Sequence, residues 1–298
     1  MKKRWLLNLI LLLLVAGLVT FLYTRPKPET AADTQYEVSG YKMAEFNAIK
    51  VEFPAKAAVT FEKVDGFWRL TAPYQTRADL ASVQRILSII AASSREKLSA
   101  GDLAKYGLDQ PSIRLTLYRD KDNAETFLFG THSPLTDEQY VAHKDAVYLI
   151  SNTYGEAAAT QTIELVDKTP LKPTEKVVGF DFSHLEQWEK DGLNLDLVDG
   201  QWKVSIAKAK PTQNELNEWA DYSWLNTRAK SVEFYTPDRK TTYPSFKVKM
   251  ADGSKVHFDK IQESPELILG RPDEGLMYFF PQDEGFTMLN PPINIPSE

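Results

Sequence analysis

Apolar and polar positions alternate along much of the chain. Ala48-Ile-Lys-Val-Glu-Phe53, Ala58-Val-Thr-Phe-Glu-Lys-Val64 and Phe67-Trp-Arg-Leu-Thr71 repeat with period two, the pattern of half-buried antiparallel strands. Asp65-Gly66, between the second and third, is a hairpin-turn signal. The period then changes. Leu80, Val83, Leu87 and Ile90, with Ile86 beside them, recur at helical spacing behind Asp79, a candidate N-cap. After Pro111 the strand pattern resumes in Ile113-Arg-Leu-Thr-Leu-Tyr118 and Thr126-Phe-Leu-Phe-Gly130. Tyr140-Val-Ala-His143 and Val147-Tyr-Leu-Ile150 then read as a hairpin over Lys144-Asp145.

The N-terminus follows neither period. Residues 5–23 are uncharged and hold only Asn8 and Thr20 as polar side chains. At about 1.5 Å per residue such a helix covers roughly 28 Å, close to the hydrocarbon core of a bilayer. Trp5 and Tyr23 stand at its two ends, where amphipathic rings favour the interface. Lys2, Lys3 and Arg4 precede it and favour a cytoplasmic N-terminus. The expectation is a transmembrane anchor over residues 1–23 and a polar, proline-bearing linker over 24–36. A cleaved secretory signal is the alternative reading, with small residues at Thr30-Ala31-Ala32. Both readings export the body. In a bacterium this gives a single-pass inner-membrane protein with a periplasmic body.

The body reads as two related copies. Val64-Asp-Gly-Phe-Trp-Arg-Leu70 matches Val198-Asp-Gly-Gln-Trp-Lys-Val204, and each precedes a helix. The second helix spans residues 214–228, with Leu216, Trp219, Ala220 and Ser223 on one face. Pro111-Ser-Ile-Arg-Leu-Thr matches Pro244-Ser-Phe-Lys-Val-Lys. Phe127-Leu-Phe-Gly130 matches Leu267-Ile-Leu-Gly270, and Val147-Tyr-Leu-Ile150 matches Phe286-Thr-Met-Leu289. The expected class is α+β: two tandem repeats, 37–152 and 173–298, each an antiparallel sheet with one main packed helix, joined by a helical connector at 153–172.

Composition narrows the chemistry. The chain of 298 residues has no cysteine, which excludes disulfides, thiolate metal sites and a thiol nucleophile. Its net charge is −6, and setting aside the N-terminal residues 1–33 leaves a net of −9 on the body. Such a body lacks the clustered positive charge that nucleic acid binding requires. No phosphate-binding glycine loop, H-E-x-x-H or G-x-S-x-G is present. Neither a nucleotide, a cofactor nor a metal is expected, and no catalytic residue is assigned. His132 and His143 could approach each other across hairpins, but their spacing fits no common metal signature. Ser133, Asp137 and one of these histidines form a triad only on paper. Asp283/Glu284 and Asp137/Glu138 read as solvated loop charges. Arg228, Lys230, Arg239 and Lys240 give the second copy a local positive face.

Val64-Asp-Gly-Phe-Trp-Arg-Leu70, Ala72-Pro73, Tyr106-Gly-Leu-Asp-Gln-Pro111, Phe129-Gly130 and Tyr140-Val141 occur in an order that resembles the bacterial family known as domain of unknown function 4340. The resemblance covers roughly residues 40–290. The second copy departs from it, having no Tyr-Gly-Leu-x-x-Pro before Pro244. The resemblance implies an envelope protein associated with auxiliary components of gliding-type ABC transporters. It implies no catalytic or cofactor residue.

Aromatic side chains supply the remaining candidates. Trp68 and Trp202 occupy equivalent positions just after a turn, where each either covers its own core or forms part of a ligand platform. Trp219 fits the inner face of the second helix, whereas Tyr222 and Trp224 fit it less well and read as partly exposed, a possible contact surface. The expected function is a non-enzymatic, membrane-anchored envelope protein acting as an accessory or interaction subunit of an ABC-transporter-like membrane complex. The alternative is a periplasmic ligand- or glycan-binding module that uses a groove between the copies.

Overall fold

A computed structural model describes residues 12–21, 24 and 34–295. Most of the expected anchor and linker lies outside the described residues. The portion at 12–21 is helical, with Leu12, Leu14 and Leu18 more than half exposed. Among the described residues no helix is long and apolar enough to cross a membrane.

Two antiparallel sheets form the body. From one edge, the first runs through Thr76–Arg77, Phe67–Ala72, Lys56–Val64, Ala48–Phe53, Ile113–Tyr118, Ala124–His132, Glu138–His143, Ala146–Ser151 and Lys97–Ser99. The second runs through Gln201–Val204, Asn194–Val198, Val177–Asp181, Ser245–Met250, Lys255–Gln262, Glu266–Arg271, Leu276–Pro281 and Ser231–Phe234. Apart from the two-residue edge strand Thr76–Arg77, both sheets use the same strand order. Each is a three-strand meander, then a helix-bearing excursion that leaves one strand at the far edge, then a four-strand meander that grows out to meet it. The turns Asp65-Gly66 and Asp199-Gly200 both have positive φ at their two central residues, the geometry of the tight hairpin that Asp-Gly favours.

The first helix, Leu80–Leu87, begins where Asp79 accepts the Ser82 amide at 2.8 Å. It buries Val83, Ile86 and Leu87. Leu80, expected on the inner face, is instead exposed: it is the first residue of the helix and lines a cavity. The second helix is shorter than expected. It is α-helical over Gln213–Ala220, entered through a reciprocal cap between Thr212 and Glu215, and continues as a π turn over Asp221–Leu225. The Asn226 amide reaches back five residues to the Asp221 carbonyl at 2.8 Å. A π turn advances fewer degrees per residue than an α turn. Trp224 therefore comes round to the inner face and is 1% exposed, which corrects its expected exposure. Tyr222 stays outside at 77%.

The 153–172 segment holds a short helix, Thr153–Ala158, and a 3-10 turn, Thr162–Leu165. Phe286-Thr-Met-Leu289, matched above to a strand of the first copy, lies in a last helix, Gln282–Leu289. Three indoles hold this helix by its C-terminal carbonyls, where the intrahelical ladder runs out of donors. Trp219 donates to Thr287 O at 2.7 Å, Trp224 to Met288 O at 3.1 Å and Trp188 to Leu289 O at 2.9 Å.

One contiguous apolar cluster extends from Val38 to Ile293 through both sheets. A smaller cluster on the first sheet gathers the family-like motifs. Leu108, Ala142 and Val147 pack there with Tyr106 and Tyr140, whose rings lie 4.8 Å apart. A Cβ at Gly130 would lie 2.1 Å from the Tyr106 carbonyl, so this strand position accepts only glycine. Tyr106-Gly-Leu and Phe129-Gly130 are thus the two sides of one packing contact.

Candidate functional site

The site forms where the two halves meet. The Arg77–Asp79 stretch enters the first helix and pairs with the connector: Asp79 N donates to Leu165 O at 2.8 Å and Asp167 N to Arg77 O at 3.0 Å. The connector continues to the second half, where Ala229 N donates to Lys168 O at 2.9 Å. Tyr74 and Phe234 bring their rings within 3.9 Å across the same junction.

Side-chain charges reinforce the backbone contacts. Arg77 sends Nε to Glu274 Oε1 at 3.0 Å and Nη2 to Glu274 Oε2 at 3.2 Å, to Tyr278 OH at 3.2 Å and to Thr169 O. Its Nη1 bonds Asp167 and Thr169 Oγ1. Nearby Arg271, fully buried, pairs with Glu175 and Asp273 and donates to Pro170 O at 2.8 Å. Arg228 pairs with Asp79. Burial pushes the Asp79 carboxyl upward, but hydrogen bonds from Arg228 and Ser82 prevail and hold it below the usual range. Glu175 behaves alike: burial opposes ionisation and the Arg271 guanidinium overcomes it. Burial, with Glu274 nearby, pushes the Tyr278 hydroxyl well above its ordinary value.

Above this network lies a cavity of about 340 Å³, lined by Phe67, Trp68, Arg69, Leu80, Lys172 and Arg228 among others. Every N–H of Arg77 is engaged, so its charge serves the junction and not a guest. The lining is mainly apolar, with Phe67, Trp68 and the exposed Leu80, and Arg69, Lys172 and Arg228 add charge beside them. Among the described residues the Trp68 indole N–H has no hydrogen-bond partner, so it remains available as a donor.

The other sequence candidates fall elsewhere. Trp202 is 6% exposed, and its indole N–H is taken by Asn217 Oδ1 at 3.0 Å. It stacks on Phe180 inside the second half and does not reach the groove. Trp224 belongs to the same aromatic core. Tyr222 is exposed, on another face of the second half. His143 is buried and stacked on Phe127, with Nδ1 3.1 Å from Thr126 O and Nε2 3.2 Å from Glu125 Oε2. Burial depresses its pKa, while the Thr126 contact and Glu125 pull the other way. The Ser133 hydroxyl accepts the Leu135 amide and is bonded to no histidine. Asp283 and Glu284 lie in the first turn of the last helix, not in a loop. Lys230 pairs with Glu266 at 2.8 Å and Arg228 with Asp79, so two of the four cations of the expected positive face are neutralised. Among the described residues no group of three or more His, Asp or Glu side chains is placed to hold a metal ion.

Sequence reasoning passed over Arg77, Asp167, Glu274 and Arg271. Arg271 did carry a signal. It follows Leu267 and Leu269 in the inward register of one strand, where a charge requires buried partners. Partners as distant as Glu175 could not be read from the strand itself.

No curated protein and no solved structure matches the chain. The family model described as domain of unknown function (DUF4340) matches residues 68–244, more than half of the chain. Its span covers Trp68, most of the groove, the connector and the Trp-bearing helix, and on that match this protein belongs to the DUF4340 family.

Proposed function

We propose that this protein is a non-enzymatic, membrane-tethered envelope protein whose periplasmic body serves as an accessory or interaction subunit of an ABC-transporter-like membrane complex. The observation that carries this reading is the apolar helix at 12–21. Its leucines and valines are more than half exposed, whereas the body buries most of its own. A Leu-rich helix with no protein around it needs an apolar solvent, and a bilayer supplies one. The two sheets with one strand order support a duplicated body, two tandem α+β copies fused at a common junction. A tether raises the effective concentration of such a body for membrane partners.

Fractionation tests the tether. The full chain should stay in the membrane pellet after alkaline extraction, with protease reaching the body only from the periplasmic side. Recovery of the intact chain in the soluble fraction would overturn the reading. Crosslinking in intact membranes should recover a stoichiometric membrane partner.

A second reading rests on the groove itself. An apolar cavity with a free indole donor suits a small ligand or a glycan ring stacked on Trp68. A ligand-dependent rise in melting temperature that Trp68→Phe abolishes would favour it. A screen of glycans and small amphiphiles that shifts nothing would remove it.

A further inference from the structure

We infer that the outer face of the last helix, Gln282–Leu289, together with the π turn Asp221–Leu225, is a docking groove for a basic amphipathic segment of a partner protein. The inference rests on the interaction-subunit reading above and names the chemistry of the partner.

Two adjoining hollows run along this helix and share Asp283 and Thr287. The first, about 390 Å³, lies between the helix and the π turn; the second extends past Phe286 to Glu263 and Ser264. Tyr222 at 77% exposure and Phe286 at 62% each line one hollow. Exposed rings on fixed backbone are what an interface uses as anchors. The backbone here is fixed, because the Trp188, Trp219 and Trp224 indoles hold the helix end from below.

Polar groups in the groove await partners. Ser223 and Thr227 are more than nine-tenths buried and line the first hollow, and among the described residues their hydroxyls have no hydrogen-bond partner. Neither oxygen is sealed from the hollow, so both are open to bond the polar groups of a guest. The charge of that guest follows from the acids. Asp283 and Glu284 are exposed and, among the described residues, have no ionic partner. Arg228 at the margin is taken by Asp79, and Glu263 is paired with Lys260. The side-chain charge left without an ionic partner is therefore negative, beside two rings. Lysine or arginine interspersed with apolar side chains matches both.

The test uses the full chain in its native membranes. p-Benzoylphenylalanine replaces Tyr222, Phe286, Phe67 in the groove between the halves, or Leu135, which is 91% exposed and remote in sequence from all of these. Illumination should give discrete adducts at 222 and 286 but not at 135, with the crosslinked partner peptide carrying net positive charge. Combining Asp283→Lys with Glu284→Lys should reduce those adducts at least fivefold, with only the small drop in melting temperature that cations in a helix's first turn bring. Adducts to a neutral or acidic segment, or adducts indifferent to the charge reversal, overturn the assignment. Adducts at 67 alone overturn this groove and leave the interaction role standing. No adduct at any position removes both.

Discussion

Arg77 and Glu274, almost two hundred positions apart in the chain, form a two-pronged ion pair, Nε to Oε1 at 3.0 Å and Nη2 to Oε2 at 3.2 Å. Both side chains are nearly buried. Removing one member of such a pair strands the other charge. Arg77→Ala should therefore cost about 3 to 5 kcal/mol of stability, read as a shift in the denaturant midpoint. A double-mutant cycle with Glu274→Gln should show strong coupling. Additive losses would mean that the two residues act independently.

Trp224 fills the second half's core and donates to Met288 O. Trp224→Phe keeps most of the ring but leaves that carbonyl without its donor. A loss of about 1 to 3 kcal/mol is expected in chemical denaturation. Trp202→Phe provides a comparison, because its partner Asn217 is exposed and can turn to water. It should lose less.

Gly130→Ala places a methyl against the Tyr106 carbonyl, where backbone must shift to admit it. A destabilisation of roughly 1 to 3 kcal/mol is expected, with faster hydrogen exchange over 106–108 and 130–131. Ala at Gly40, which meets nothing within 4 Å, should have no comparable effect.

Acidification should weaken the fold in two stages. Burial holds His143 below its ordinary value, so the unfolded chain takes up that proton at higher pH than the folded one. This contribution is intact above about pH 6.5 and declines as pH falls below that value. Asp79 and Glu175 are also depressed; although burial works against ionisation, their arginine partners prevail. Their contribution is present above roughly pH 4 and is lost as pH falls through their lowered values. Denaturation midpoints measured from pH 7.5 to pH 3 should fall in both windows. His143→Phe should flatten the first alone.

The strands were legible because alternation is local. The Asp-Gly turns and the Asp79 cap were legible because turn and cap chemistry reside in one or two side chains. The π turn was not. It is set by the core into which Trp224 swings, and straight helical counting left that indole near the surface. The strand match proposed for Phe286-Thr-Met-Leu289 failed for a similar reason, since four mixed apolar residues fit a helix as well as a strand. Of the candidate site, Trp68 was visible and Arg77 was not, because the value of a charge depends on partners that only the fold brings near.

The stretch of chain at 165–168 is bonded on one side to the entry of the first helix and on the other to Ala229. A hinge needs backbone that is free to rotate, and here the segment between the halves is clasped from both flanks. The halves therefore do not work as jaws. A guest of the cleft over Trp68, as the second reading proposes, would meet a mould of set shape and be selected by fit to it, not by closure around it.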